Sequence, residues 1–180
     1  KALVNELESY PRDELFQISV PILRKHAEAI LALGEPPRVR VLYRIDQFDR
    51  FVAVLVFVPR DRYDSRVRIE IGECLVKTFD GRLSAYYPAF PEGSLARVHF
   101  IIGRSGGKTP KIDAGVLEDH IRALTRTWDD GLREAAANAG VDDAITGVAS
   151  GFPECYRNSF APDAALIDAE YVCAVSRSEE

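Results

Sequence analysis

The stretch Gly103-Arg104-Ser105-Gly106-Gly107-Lys108-Thr109 follows an alternating apolar run and ends in Gly-Lys-Thr, as a phosphate-binding loop does. Such a loop needs four residues between its glycines, and Ile102 stands where the first glycine would be. A helix must also begin at the Gly-Lys-Thr, so that its first amides face the phosphates. Pro110 biases Thr109 away from helical angles. The stretch reads instead as a flexible linker over residues 105–112.

Other reactive side chains are scattered. His26, His99 and His120 show neither the His-x-x-x-His nor the His-Glu-x-x-His spacing that a metal needs. They read as partly buried structural histidines. Cys74, Cys155 and Cys173 are odd in number and widely spaced, without a Cys-x-x-Cys pair. Three buried, reduced thiols are the plain expectation. Arg60, Arg62 and Arg66 crowd a helix start, where guanidinium groups and free amides could converge on an anion. The plainer reading of that patch is a capped turn with compensating charges. Glu118-Asp119 and Asp129-Asp130 are expected on solvated helix faces. No Gly-x-Ser-x-Gly, Cys/His pairing or dinucleotide glycine fingerprint occurs, so no catalytic, cofactor-binding or metal residue is assigned.

The elements that carry these residues follow from periodicity. The chain has 180 residues, 47% hydrophobic and 28% charged, an ordinary globular balance that suits one core with helical attachments. Residues 1–37 read as helical with breaks. Lys1–Leu7 resembles mid-helix, Pro11 interrupts, Ser19 can cap a second helix, and Gly34 with Pro36-Pro37 ends it. Over 38–104 the period changes. Val39, Val41, Tyr43 and Ile45 alternate with Arg38, Arg40, Leu42 and Arg44, giving a strand with one largely wet face. Phe51 to Val58 suits a central strand. A helix capped by Asp64 or Ser65 and closed at Gly81 comes next, then strands at Leu83–Tyr87 and Ala96–Ile102. Asp113 caps a predicted long helix over 113–139, about 40 Å at 1.5 Å per residue. Residues 141–180 read as two short helices.

The net charge of −5 offers nothing to a phosphate backbone, so nucleic acid is not an expected partner. No apolar run approaches the roughly 18 residues that span a bilayer. No membrane role is expected, and a cytoplasmic location is.

Several strings in sequence order carry a family resemblance. They are Pro11–Ile18, Arg44-Ile45-Asp46 with Arg50-Phe51-Val52, and Val56–Tyr63. Leu95–Ile102, Arg126–Asp130 and Phe152–Arg157 complete the series. Together they resemble the region preceding the catalytic core of the large bacterial NAD-specific glutamate dehydrogenases. The resemblance implies a piece of a longer enzyme that oxidises L-glutamate to 2-oxoglutarate with NAD. It also implies an ACT-like domain associated with regulation and assembly. The absence of Met and the opening at Lys1 agree with an excised piece; a trimmed whole protein is the alternative.

The expected fold is α+β: a four-stranded antiparallel sheet with helices on one face, in ββαββα order, plus helical flanks. That is the β-α-β-β-α-β cycle of an ACT or ferredoxin-like domain taken from another starting point. A strand at Leu15–Ile18 would remove the permutation, but a short helix or turn fits the neighbouring capping residues better. The expected organisation is a helical segment (1–37), the ACT-like domain (38–104), the linker (105–112) and a helical extension (113–180). No cofactor is expected in this chain, and NAD is expected in the parent. Expected partners are other domains or subunits of that parent, with an amino-acid effector as a further option. The rival readings are a stand-alone amino-acid-sensing or interaction module, and an enzyme hydrolysing nucleotides through Lys108.

Overall fold

Alternation along β1 (Arg40–Ile45) and unbroken apolarity along β2 (Phe51–Pro59) dictate an edge strand beside a central one. The computed structural model describes residues 10–33, 37–91 and 93–178, and the expected opening helix at Lys1–Leu7 and its successor's end at Gly34 and Pro36 lie outside them. The chain divides into two units, Lys1–Thr125 and Arg126–Glu180.

In the first unit, β1 and β2 are joined by a hairpin whose Asp49 has φ 55°. A single 3-10 turn (Arg60–Arg62) leads to α3 (Ser65–Thr78), then β3 (Arg82–Ala89) and β4 (Leu95–Gly103). The sheet order is β1-β2-β4-β3, with every neighbouring pair antiparallel. β2, α3 and β3 therefore form a split β-α-β unit, with β4 inserted between two parallel strands. α4 (Ala114–Leu124) leaves β4 and packs beside β1, which closes the ferredoxin-like cycle. The permuted order expected from periodicity is the order found. Pro88 lies within β3, which an edge strand tolerates because the missing N–H need not serve a ladder.

Period two sorts the strands onto two buried faces. The first presents Val41, Val54, Val56, Phe100 and Ile102 to Val67, Ile71 and Leu75 of α3 and to Leu117 and Ile121 of α4. The second presents Leu42, Leu55 and Phe57 to Tyr10 and Ile30. That second face is covered by the N-terminal flank, α1 (Arg12–Leu15) and α2 (Val20–Leu31). Residues 12–15 form the short helix expected there, with Pro11 at its N-cap and no side-chain cap bond. Ser19 occupies the N-cap of α2 without a side-chain cap bond.

The first unit departs from expectation in several places. The segment after β4 is tied rather than free. Arg104, 8% exposed, donates from Nη1 to the carbonyls of Phe79 and Asp80 and from Nη2 to those of Gly106 and Lys108. The Asp49 carboxylate accepts from the Thr109 amide at 3.0 Å, and Tyr43 Oη donates to the Ile112 carbonyl at 2.5 Å. At the end of α3 it is Asp80, not Gly81, that takes positive φ, at 47°. Gly81 serves close approach instead, because a Cβ there would sit 2.6 Å from Ile102 Cγ2. Glu118 is not on a solvated face. It is buried and accepts from the Val41 amide at 3.0 Å, covering a backbone donor on the edge of β1.

The expected helix over 113–139 is two helices, α4 and α5 (Trp128–Ala139). Thr125 turns its hydroxyl back onto the Arg122 carbonyl, and Thr127 forms a capping box with Asp130. A stop and a start signal thus interrupt an apolar spacing that serves two different cores. In the second unit, α6 (Asp143–Ser150), a single turn α7 (Glu154–Arg157) and α8 (Pro162–Ser178) replace the two short helices expected. Pro162 opens α8, a first-turn position where its missing N–H costs nothing. Leu132 and Ala136 pack there with Ala149, Ala165, Leu166 and Ala169.

Candidate functional site

Charged residues placed on a buried face mark a site when they are paired. On the second sheet face, Arg44 of β1 and His99 of β4 face the N-terminal flank instead of water. Pro11 precedes α1 and holds an extended angle, so the short helix lays Glu14 against the sheet. Glu14 is 3% exposed and accepts from Arg44 Nε at 2.8 Å and Nη2 at 3.0 Å. The Arg44 guanidinium also lies over the Phe51 ring, 5.4 Å from its centre. His99 Nε2 stands 3.8 Å from Glu14 Oε1 and has no hydrogen-bond partner.

Beside this cluster a cleft of about 480 Å³ opens between α1 and the sheet. Strand register builds its floor. His99 is opposite Tyr87, Ala89 is opposite Arg97, and Phe51 and Ile101 lie on the same face. Asp13, Glu14 and Gln17 form the α1 side. Deeper in the same layer, Tyr10 Oη and His26 Nδ1 are 2.8 Å apart.

Burial dominates the electrostatics. It pushes the His26 imidazole down to about 4, with nearby Lys25 acting in the same direction. Burial also lowers His99, against the opposing pull of Glu14. The Tyr10 phenol is raised, first by burial and then by the Glu14 charge. Both imidazoles are therefore neutral at physiological pH, beside an ion pair that is already satisfied. Such a set can bind and brace. It presents no nucleophile held next to a base. Among the described residues, no group of three or more His, Cys, Asp or Glu side chains is placed to hold a metal ion.

The arginines singled out from sequence lie elsewhere. Arg60 donates to the Pro91 carbonyl and covers the Phe90 ring. Arg66 pairs with Glu70 at 2.8 Å, and Arg62 also has an interaction of its own. Asp64 caps α3 by accepting from the Val67 amide. The thiols are free but not buried: Cys155 is exposed, and Cys74 and Cys173 are half-buried. His26 and His99 are buried, whereas His120 is exposed. Sequence reasoning passed over Glu14 and Arg44. The available signal was an apolar N-terminal flank in need of a partner, next to a strand face bearing Leu42 and Arg44.

A split β-α-β sheet, permuted and closed by α4 against β1, defines an ACT-like α+β domain. The family model described as "Glutamate dehydrogenase, ACT2 domain" matches residues 40–129, and "Glutamate dehydrogenase, helical motif 1" matches residues 1–36. The chain belongs to the glutamate dehydrogenase ACT2 domain family, as the resemblance implied. It is 34% identical over 176 residues to an NAD-specific glutamate dehydrogenase of Halomonas elongata, covering 96% of this chain and 11% of that protein. The corresponding protein of Pseudomonas aeruginosa is 33% identical over 180 residues, covering 98% and 11%. That of Mycobacterium tuberculosis is 29% identical over 181 residues, covering 92% and 11%. The chain thus spans about 11% of the length of the curated relatives it matches.

Proposed function

We propose that this chain is a non-catalytic regulatory or structural module of an NAD-dependent glutamate dehydrogenase, the parent converting L-glutamate and NAD to 2-oxoglutarate, ammonia and NADH. The observation that carries the reading is the match of the whole sheet and its N-terminal flank to two successive domains of that family. The relatives bear the name NAD-specific glutamate dehydrogenase.

The residues present do not fit NAD itself. At the loop after β4, the carbonyls of Gly106 and Lys108 turn in to Arg104. The amides that open α4 are held by the Asp113 carboxylate, where a pyrophosphate would need them free. On this reading the cofactor belongs to another part of the parent.

Other domains or subunits of the parent are the partners this reading supplies. The cleft under α1 favours an amino-acid effector as a second reading, since it sets Asp13 and Arg97 around one small volume. Among the described residues, no helix is long and apolar enough to cross a membrane.

The test is a full-length relative with the segment equivalent to residues 40–124 replaced by a short linker. NAD binding should persist by fluorescence titration while subunit assembly or glutamate saturation changes. Loss of NAD binding with assembly intact would place the segment in the catalytic machinery and overturn the reading.

A further inference from the structure

We propose that acid releases the layer formed by α1 and α2 from the sheet, because the layer closes only over two uncharged histidines. His26 on α2 and His99 on β4 are 5% and 6% exposed, and both lie at the contact between this layer and the second sheet face. The rest of that contact is apolar, with Tyr10, Ile30, Leu42, Leu55 and Phe57 at its centre.

The buried acid nearest both imidazoles, Glu14, is already held by Arg44. His26 is approached by Lys25 on its own helix, by Glu14 from α1, and by Arg44 from β1. Its ring is hydrogen-bonded to Tyr10 and to the backbone of Tyr43. His99 is approached by Glu14 and Asp13 from α1, Arg44 from β1 and Arg97 on its own strand, with the Tyr87 ring 6.0 Å away on β3. Glu14 is the one buried acid among these groups, and Arg44 already engages both of its oxygens. His99 Nε2 makes no hydrogen bond, and the buried acid beside it, Glu14 with Oε1 at 3.8 Å, is already shared with Arg44. The cleft beside α1 is lined in part by His99, which gives solvent a way to the ring once the layer loosens.

The sign follows from linkage. Well above the ordinary histidine pKa of about 6.5 both histidines are uncharged whether the layer is closed or released, so they contribute no pH dependence there. Below the ordinary histidine range of about 6.5 the released form protonates first. Closure is therefore progressively disfavoured as pH falls, down to about 4 for His26. The first sheet face differs. Its buried core is made of Val, Ile, Leu and Phe side chains, with no histidine among them.

The experiment is amide hydrogen exchange on the chain near pH 7.5 and near pH 5, corrected for intrinsic rates. Amides of Val20–Leu31 should lose about tenfold or more of their protection in acid, while those of β2 and α3 hold theirs. An equal loss throughout the chain, or none, would overturn the proposal. The double variant His26→Phe/His99→Phe should abolish the acid response, and a response that persists also counts against it. Should that variant fail to fold, an NMR titration of the two imidazoles in the unaltered chain decides. A transition at or above the ordinary histidine range for both rings would sink the idea.

Discussion

Glu14 and Arg44 form a two-pronged ion pair across 30 residues of sequence, buried between a four-residue helix and the edge strand of a sheet. Each side chain would be costly in that place without the other. Removing one partner by Glu14→Leu or Arg44→Met should cost about 3–5 kcal/mol, the penalty for an uncompensated buried charge. The double change Glu14→Leu/Arg44→Met should recover most of it. Urea denaturation of the three variants measures this, and additive losses in the double variant would show that the pair is not coupled.

Two glycines should respond in opposite directions. At Gly72, in mid-helix on α3, a Cβ would lie 3.6 Å from Leu83 Cδ2 and 3.7 Å from Phe100 Cε1, ordinary contact distances. Gly72→Ala should stabilise by about 1 kcal/mol through helix propensity and a filled gap. Gly81→Ala should destabilise, since its Cβ would meet Gly103 O at 2.7 Å as well as Ile102. Thermal midpoints of the two variants moving in the same direction would refute this pairing.

Arg104 gathers the carbonyls of the α3 end and of the loop after β4. Arg104→Ala should leave the buried Phe79 carbonyl unpaired, untie those of Gly106 and Lys108, and loosen residues 105–112. Limited proteolysis should then cut near Lys108 or Lys111 well before the unaltered chain is cut. Equal resistance would mean that Asp49 and Tyr43 hold the loop without it.

Asp46 contributes on the acid side. It accepts from the Arg50 side chain at 2.7 Å and from the amides of Phe48 and Arg50, and these bonds hold its carboxyl down to about 2. A depressed carboxylate stabilises the fold above its ordinary pKa and stops doing so as pH falls toward the depressed one. Asp46→Asn should therefore lower stability at neutral pH and flatten its dependence between about pH 4 and pH 2. Denaturation midpoints across that range test it, and an unchanged slope would remove Asp46 as the cause.

Much of the fold was legible from residue types alone. The strands, their permuted order, and the caps Asp64 and Asp113 follow from alternation and from local oxygen acceptors. What misled was apolar spacing that runs across a boundary. Leu124 and Leu132 lie at helical spacing, yet they serve different cores, and only the Thr125 stop and the Thr127 cap betray the break. The candidate site was less legible. Arg44 reads as a wet-face residue until the flank is known to cover that face, because pairing with Glu14 is a tertiary event that no local pattern records. The loop after β4 misled similarly: its glycines suggest freedom, while Arg104 supplies the restraint.

β1 begins the sheet and α4 ends it, and the two lie side by side, joined by Glu118 and the Val41 amide. The polypeptide thus leaves this domain close to where it came in. Within a longer chain the sheet is a detour rather than a span, adding bulk and surface at one point while adding little distance between the segments on either side.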